Sequence, residues 1–202
     1  MGYFVYGDKE IEYLKKRDKK LGSLIDRIGI IEREVNLDTF SALIDSIVSQ
    51  QISTKAAITV ATRLNNLVGE INPNNIYNAS IEDIQKCGMS VRKATYIKGI
   101  ADAAISKEID FDKLHTLTDE EVIEKLTSLY GVGTWTAEML LIFSLGRKNV
   151  ISFKDLAIRR GIMKLYNLKE LTKTDFEKYK KRYSPFGSVA SLYLWVISLE
   201  VD

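Results

Sequence analysis

The sequence predicts an all-α protein, and three observations carry that prediction. Apolar residues recur at helical spacing through most of the 202 residues. No stretch alternates for long with the two-residue period of a strand. Only two prolines interrupt the chain. About ten short helices joined by brief loops account for these patterns.

The first apolar stripe runs through residues 9–28 and the second through 39–50. Ser53 stands where it can cap a helix that continues to Asn66 and ends at Gly69. Ser80-Ile-Glu-Asp83 has the form of a capping box, and residues 90–106 carry the next stripe. Thr118-Asp-Glu-Glu121 repeats the capping form ahead of Val122, Ile123, Leu126, Leu129 and Tyr130, which share one helical face. Gly131-Val132-Gly133 then makes a tight turn, and Thr134 is placed to cap the almost wholly apolar helix that follows. Two glycines allow positive φ and let another backbone approach closely. Asp155 precedes a helical pattern over 156–166, and the uncharged run Ser184–Leu199 reads as a buried helix, too short and serine-rich to span a bilayer. A weak echo links "IEDIQKCGMSVRKATYI" to "VIEKLTSLYGVGTWTAEML": helix, glycine, short turn, helix, with alanine (Ala94, Ala137) six positions after the glycine. The first copy has Ser90 where the second has Gly133.

Composition narrows the chemistry. Hydrophobic content of 46% and charge of 28% fit a folded globular domain rather than a disordered chain. A single cysteine, Cys87, makes neither an internal disulfide nor an iron–sulfur or zinc site, and the lone His115 excludes clusters of imidazoles. The first twenty residues lack a secretory pattern, so an intracellular location is expected. Charge is unevenly spread. From Gly146 to Arg182 twelve basic residues face only four acidic ones, +8, which leaves −6 for the rest of a chain of formal net charge +2. Such a segment suits a polyanion partner, though a solvated helix face has the same composition.

Two places invite a chemical reading. Exposed amides at a helix start, set beside glycine, can seat a phosphate oxygen, so Gly131, Gly133 and Thr134 are candidates; alone, Gly131 also reads as an ordinary helix end. Asp155 alone reads as an N-cap carboxylate. The same position, with helix amides and Lys154, Arg159 and Arg160 nearby, favours an ionised carboxylate able to stabilise a developing positive charge.

Four stretches together resemble a known family. "LYGVGTWTAEMLLIFSLG" is similar to the helix-hairpin-helix of the DNA glycosylase superfamily, and "VISFKDLAIRRGIMKLY" to the segment carrying that superfamily's essential aspartate. "FSALIDSIVSQQISTKAA" and "GMSVRKATYIKGIA" resemble elements of its alkylation-repair branch, of the 3-methyladenine DNA glycosylase II type. The resemblance spans roughly residues 38–200 in the family's order. It implies a two-lobed helical fold with the active site in the cleft between lobes: residues 1–37 with 149–202 in one lobe, 38–148 in the other. It implies a DNA repair enzyme that flips an alkylated purine (3-methyladenine, 7-methylguanine) out of duplex DNA and hydrolyses its N-glycosidic bond in base excision repair.

Residue by residue, the resemblance makes Asp155 the catalytic carboxylate and puts Trp135 and Trp195 in the base pocket, where a cationic base would meet electron-rich rings. Met139 and Leu156 stand where the best-known bacterial member has tyrosines, so this pocket is expected to be less aromatic. Gln51 matches the residue that fills the gap left by the flipped nucleotide, and Ser53 is expected in the minor groove. Gly131, Gly133, Thr134, Lys154 and Arg159 are the expected backbone contacts. Carbonyls of Thr127, Leu129 and Val132 would hold a Na⁺ or K⁺ ion bridging to phosphate, with no other cofactor and no iron–sulfur cluster. Strand-cutting relatives place lysine at the position of Trp135, so the enzyme is expected to be monofunctional, without lyase activity. Its partner would be double-stranded DNA with a damaged base; neither membrane nor oligomerisation is expected. Three alternatives stay open at this level: the same fold acting on hypoxanthine, uracil or 8-oxoguanine, a non-catalytic module that binds damaged DNA, and a helical protein-interaction domain.

Overall fold

The computed structural model describes residues 2–200. In chain order these form β1 (Gly2–Tyr3), α1 (Asp8–Arg17), α2 (Lys19–Ile28), β2 (Glu34–Val35), α3 (Thr39–Ser49), α4 (Thr54–Val68), α5 (Pro73–Asn78), α6 (Ile81–Lys86) and α7 (Val91–Ile105). A 3₁₀ helix (Phe111–Thr116) follows, then α8 (Asp119–Thr127), α9 (Thr134–Phe143), α10 (Leu156–Tyr166), α11 (Lys173–Tyr183) and α12 (Gly187–Leu199). No helix among the described residues is long and apolar enough to cross a membrane.

The structure is helical as the sequence predicts and adds two details. β1 and β2 pair antiparallel as a minimal sheet, Gly2 opposite Val35 and Tyr3 opposite Glu34. Two-residue strands are too short to display an alternating pattern. The stripe over 9–28 is two helices. Asp18 takes an extended conformation between them, and its carboxylate accepts the Leu21 amide at 2.9 Å, capping α2. Other caps stand where the sequence sets them. Ser53 accepts the Ala56 amide, Ser80 the Asp83 amide, and Thr118 and Glu121 form the full reciprocal box.

The chain forms two compact units, Met1–Val35 with Leu141–Asp202, and Asn36–Leu140. The second junction thus lies within α9, eight residues before the expected one at 148/149. The discontinuous unit is built around α12, whose residues Gly187–Leu194 and Ile197 are all buried. α10 approaches α12 closely at Gly161, where a Cβ would stand 2.2 Å from the Leu194 carbonyl oxygen. The continuous unit has its core in Leu43, Ile44 and Ile47 of α3, Leu64 of α4, Ile97 and Ile100 of α7 and Leu126 of α8, none more than 1% exposed.

Candidate functional site

The turn between α8 and α9 is tight for two reasons, and both act at Gly131. Its φ is +85°, and a Cβ there would lie 2.2 Å from the ring of Tyr96 on α7. Gly133 is unlike it: φ is not positive, and nothing lies within 4 Å of the place a Cβ would take. Of the two glycines, only Gly131 uses the positive φ that glycine allows. The Gly133 carbonyl accepts the Ala137 amide at 3.1 Å, so Gly133 is the N-cap and Thr134 the first helical residue rather than the cap. A glycine cap brings no side-chain oxygen to the first-turn amides, and the space outside it is open, which are the features of an anion seat.

Around this turn, Thr134 is exposed, while Leu129 and Val132 are buried. The Leu129 carbonyl accepts the Val132 amide at 3.2 Å, and the Thr127 hydroxyl donates to the Ile123 carbonyl at 2.7 Å. Tyr130 does not join the apolar face that its spacing suggests; it is 85% exposed at the hairpin tip. Trp135 is 41% exposed and Met139 half-buried, and their four-residue spacing puts both on one face of α9.

The echo between the two helix pairs is geometric as well as sequential. Gly88 between α6 and α7 has φ +111°, Ala94 and Ala137 are both fully buried, and Ser90 caps α7 as Gly133 caps α9. The difference is that the Ser90 hydroxyl accepts the Lys93 amide at 3.3 Å, whereas glycine has no side-chain oxygen to offer at Gly133.

Between α3 and α4, Gln51 is exposed with φ +57°, and Ile52 beside it is 40% exposed. Ser53 is exposed and serves as the α4 cap. An open groove of about 540 Å³ runs along this loop, lined among others by Gln51, Met89, Ser90, Arg92, Lys93 and Gly131. The loop, the α6–α7 turn and the hairpin glycine therefore share one surface of the continuous unit.

In the other unit, Asp155 caps α10 and is only 7% exposed. Its Oδ1 accepts the Ile158 amide at 2.9 Å, and its Oδ2 accepts the indole Nε1–H of Trp195 at 3.2 Å. The two donors hold the carboxylate in one orientation. The Trp195 ring lies against Phe143, with centroids 5.4 Å apart, and the Arg33 guanidinium stands 4.9 Å from the Phe143 ring centre. Leu156, next in the chain, is exposed, as is Lys154. Arg159 is half-buried, with its guanidinium 5.2 Å over the Phe153 ring. Sequence reasoning missed Phe143, and it gave Trp195 a pocket role without its bond to Asp155. No local signal marks either contact, since Asp155 and Trp195 lie forty positions apart.

Comparison with known proteins agrees with these features. Residues 44–185 match the HhH-GPD superfamily of base excision DNA repair proteins. DNA-3-methyladenine glycosylase 1 of Schizosaccharomyces pombe is 38% identical over 170 residues, covering 82% of this chain and 75% of the relative. Among solved structures, the DNA-3-methyladenine glycosidase of Bacillus halodurans superposes with a TM-score of 0.88 at 36% identity, over 98% of this chain and 93% of that one. The S. pombe 3-methyladenine DNA glycosylase, solved in complex with abasic DNA, superposes with a TM-score of 0.83 at 34% identity, over 93% of this chain and 95% of that one.

Proposed function

Because the chain belongs to the HhH-GPD superfamily of base excision DNA repair proteins, we propose that it is a monofunctional DNA glycosylase for alkylated purines, 3-methyladenine and 7-methylguanine in particular. What supports this reading most is the carboxylate of Asp155, nearly buried and aimed by an α10 amide and the Trp195 indole. As the bond between deoxyribose C1′ and the purine nitrogen breaks, positive charge develops on the sugar, and a fixed carboxylate stabilises it. Water then adds its oxygen to C1′ and gives up a proton, and the base leaves with the bonding electrons. Glycoside hydrolysis commonly needs a second carboxyl group as acid. An alkylated purine is already cationic and departs neutral, so one carboxylate suffices.

The remaining roles follow from chemistry at each position. Gly133, Gly131 and Thr134 offer the open helix start to a DNA phosphate, with Lys154 and Arg159 as further cationic contacts. Gln51 fills the gap left by the everted nucleotide, and Ser53 follows it toward the minor groove. Eversion costs roughly a few kcal/mol, less for a poorly stacked damaged base. Trp135 and Met139 on one face of α9, and separately Trp195 and Leu156 next to Asp155, are the proposed contacts of the everted base. Thr127, Leu129 and Val132 would present carbonyls to a Na⁺ or K⁺ ion; the Leu129 oxygen, having accepted one amide, keeps a lone pair for it. Trp135 has no amine to attack the sugar, so the strand is left intact at an abasic site.

The test is to incubate the protein with duplexes containing 3-methyladenine, 7-methylguanine, hypoxanthine or uracil, score the released base, and add borohydride to a parallel set. The expected result is release of the two alkylpurines in preference to the others, and no trapped adduct. Release confined to uracil or hypoxanthine would reassign the substrate, a borohydride adduct would overturn the monofunctional reading, and tight binding without release would mark a damage-binding module.

A further inference from the structure

The loop that presents Gln51 is fastened where it leaves α3 by side chains outside the roles assigned so far. α3 stops at Ser49, and helix ends leave their last carbonyls without partners. Lys93 of α7 meets two carbonyls at this end: its Nζ donates to Val48 at 2.9 Å and to Gln50 at 2.5 Å. Gln50 in turn donates from Nε2 to the carbonyl of Gly131 at 3.0 Å. Gly131 itself has a positive φ and lies close against the Tyr96 ring. Burial lowers the pKa of the Lys93 ammonium, as expected for a cation committed to the protein rather than to solvent. Directly after these fastenings Gln51 takes a left-handed conformation, φ +57°, which residues other than glycine, asparagine and aspartate seldom adopt. Such a conformation persists only where the surroundings over-determine it.

We infer that Lys93 and Gln50 are positioning residues that hold Gln51 in its presented, left-handed state before DNA arrives. The inference rests on the reading of Gln51 as the residue that fills the emptied stack. A side chain that replaces a base must resist re-stacking of its neighbours, and a loose loop would have to be ordered during that step. Lys93 pre-orders the loop by satisfying carbonyls that a free loop would turn to water. Gln50 couples the same loop to the glycine of the hairpin. In a groove that also holds Arg92, Lys93 reads superficially as a phosphate contact, yet its ammonium is engaged by the backbone.

The test uses the full chain and a duplex carrying a tetrahydrofuran abasic analogue beside 2-aminopurine, whose fluorescence rises when it unstacks. Lys93→Met, Lys93→Arg and Gln50→Leu are compared with wild type for fluorescence at saturation, for affinity across a salt series and for thermal midpoint. The fluorescence rise should fall about fivefold or more in Lys93→Met and Gln50→Leu, with Lys93→Arg in between, while the salt slope is unchanged. If Lys93→Met does not fold, Gln50→Leu carries the test, since it removes a single side-chain bond. A full fluorescence rise in the folded variants overturns the inference, as does a salt slope smaller by about one in Lys93→Met, the mark of a lost phosphate contact. A wild-type protein that binds the duplex without any rise would overturn the reading of Gln51 first, and the inference with it.

Discussion

At the scale of single residues, the candidate chemistry depends on how Asp155 is held. One of its oxygens is fixed by the first turn of its own helix, the other by an indole from α12. The first restraint is legible in the sequence, because an aspartate just before a helical pattern caps it whatever else it does. The second is not, because nothing local to Trp195 announces a partner forty residues away. Trp195→Phe separates the two parts of its role, keeping a ring against Phe143 while removing the donor. A hydrogen bond to a charged group is worth about 1.5–3 kcal/mol. Single-turnover base release should therefore slow by roughly 10–100-fold, with affinity for abasic DNA unchanged. Release at the wild-type rate would mean that the indole does not position the carboxylate.

At the scale of elements, the two hairpin glycines are the same residue in different surroundings. Gly131 is demanded by the fold, since it has positive φ and a Tyr96 ring 2.2 Å from any added Cβ. Gly131→Ala should destabilise by roughly 2–4 kcal/mol, combining backbone strain with overpacking. Gly133 meets neither constraint, so Gly133→Ala should cost at most about 1 kcal/mol as a poorer cap. Its methyl group would nevertheless stand in the proposed phosphate seat, and affinity for duplex DNA should fall. Thermal unfolding and DNA binding of the pair distinguish the roles, and wild-type affinity in Gly133→Ala would remove the phosphate seat. The Gly-x-Gly spacing is visible in the chain, but the distinction is not, because Tyr96 comes from another helix. Caps made the helix starts at Ser53, Ser80 and Thr118 legible for the opposite reason, being bonds between near neighbours in sequence. The apolar stripe over 9–28 concealed the break at Asp18, since two short helices in succession can keep one periodicity across a cap.

At the scale of the whole molecule, one unit is assembled from the two ends of the chain, and side-chain bonds tie those segments together. Asp18, buried between α1 and α2, accepts from the Tyr166 hydroxyl at 2.6 Å and from Arg182 Nη1 at 2.7 Å, and Tyr166 meets Tyr183 at 2.8 Å. Glu10 of α1 pairs with Lys148 at 2.7 Å. Burial alone would raise the Asp18 carboxyl, but the Leu21 amide, Tyr166 and Arg182 outweigh it and hold the group below its usual value. A depressed carboxyl contributes stability that is fully present above the unfolded-chain pKa, about 3.9, and is lost as pH falls through the lower folded value. Asp18→Asn should cost roughly 2–4 kcal/mol at pH 7, and its deficit against wild type should shrink toward pH 3. Urea unfolding at the two pH values measures this, and a deficit independent of pH would show that the charge of Asp18 is not what joins the segments. These long-range ties are absent from sequence patterns, whereas the helical class, and through the resembling motifs the family, were legible without them.

The measurement that bears most directly on the central claim is single-turnover release of 3-methyladenine and 7-methylguanine from a methylated duplex, run with wild type and with Asp155→Asn. Wild type should release both bases. Asp155→Asn, which keeps an oxygen for the Ile158 amide but loses the charge, should release them about 10²–10³-fold more slowly while binding abasic DNA as wild type does. Equal rates in the two proteins, or no release by wild type, would contradict the account.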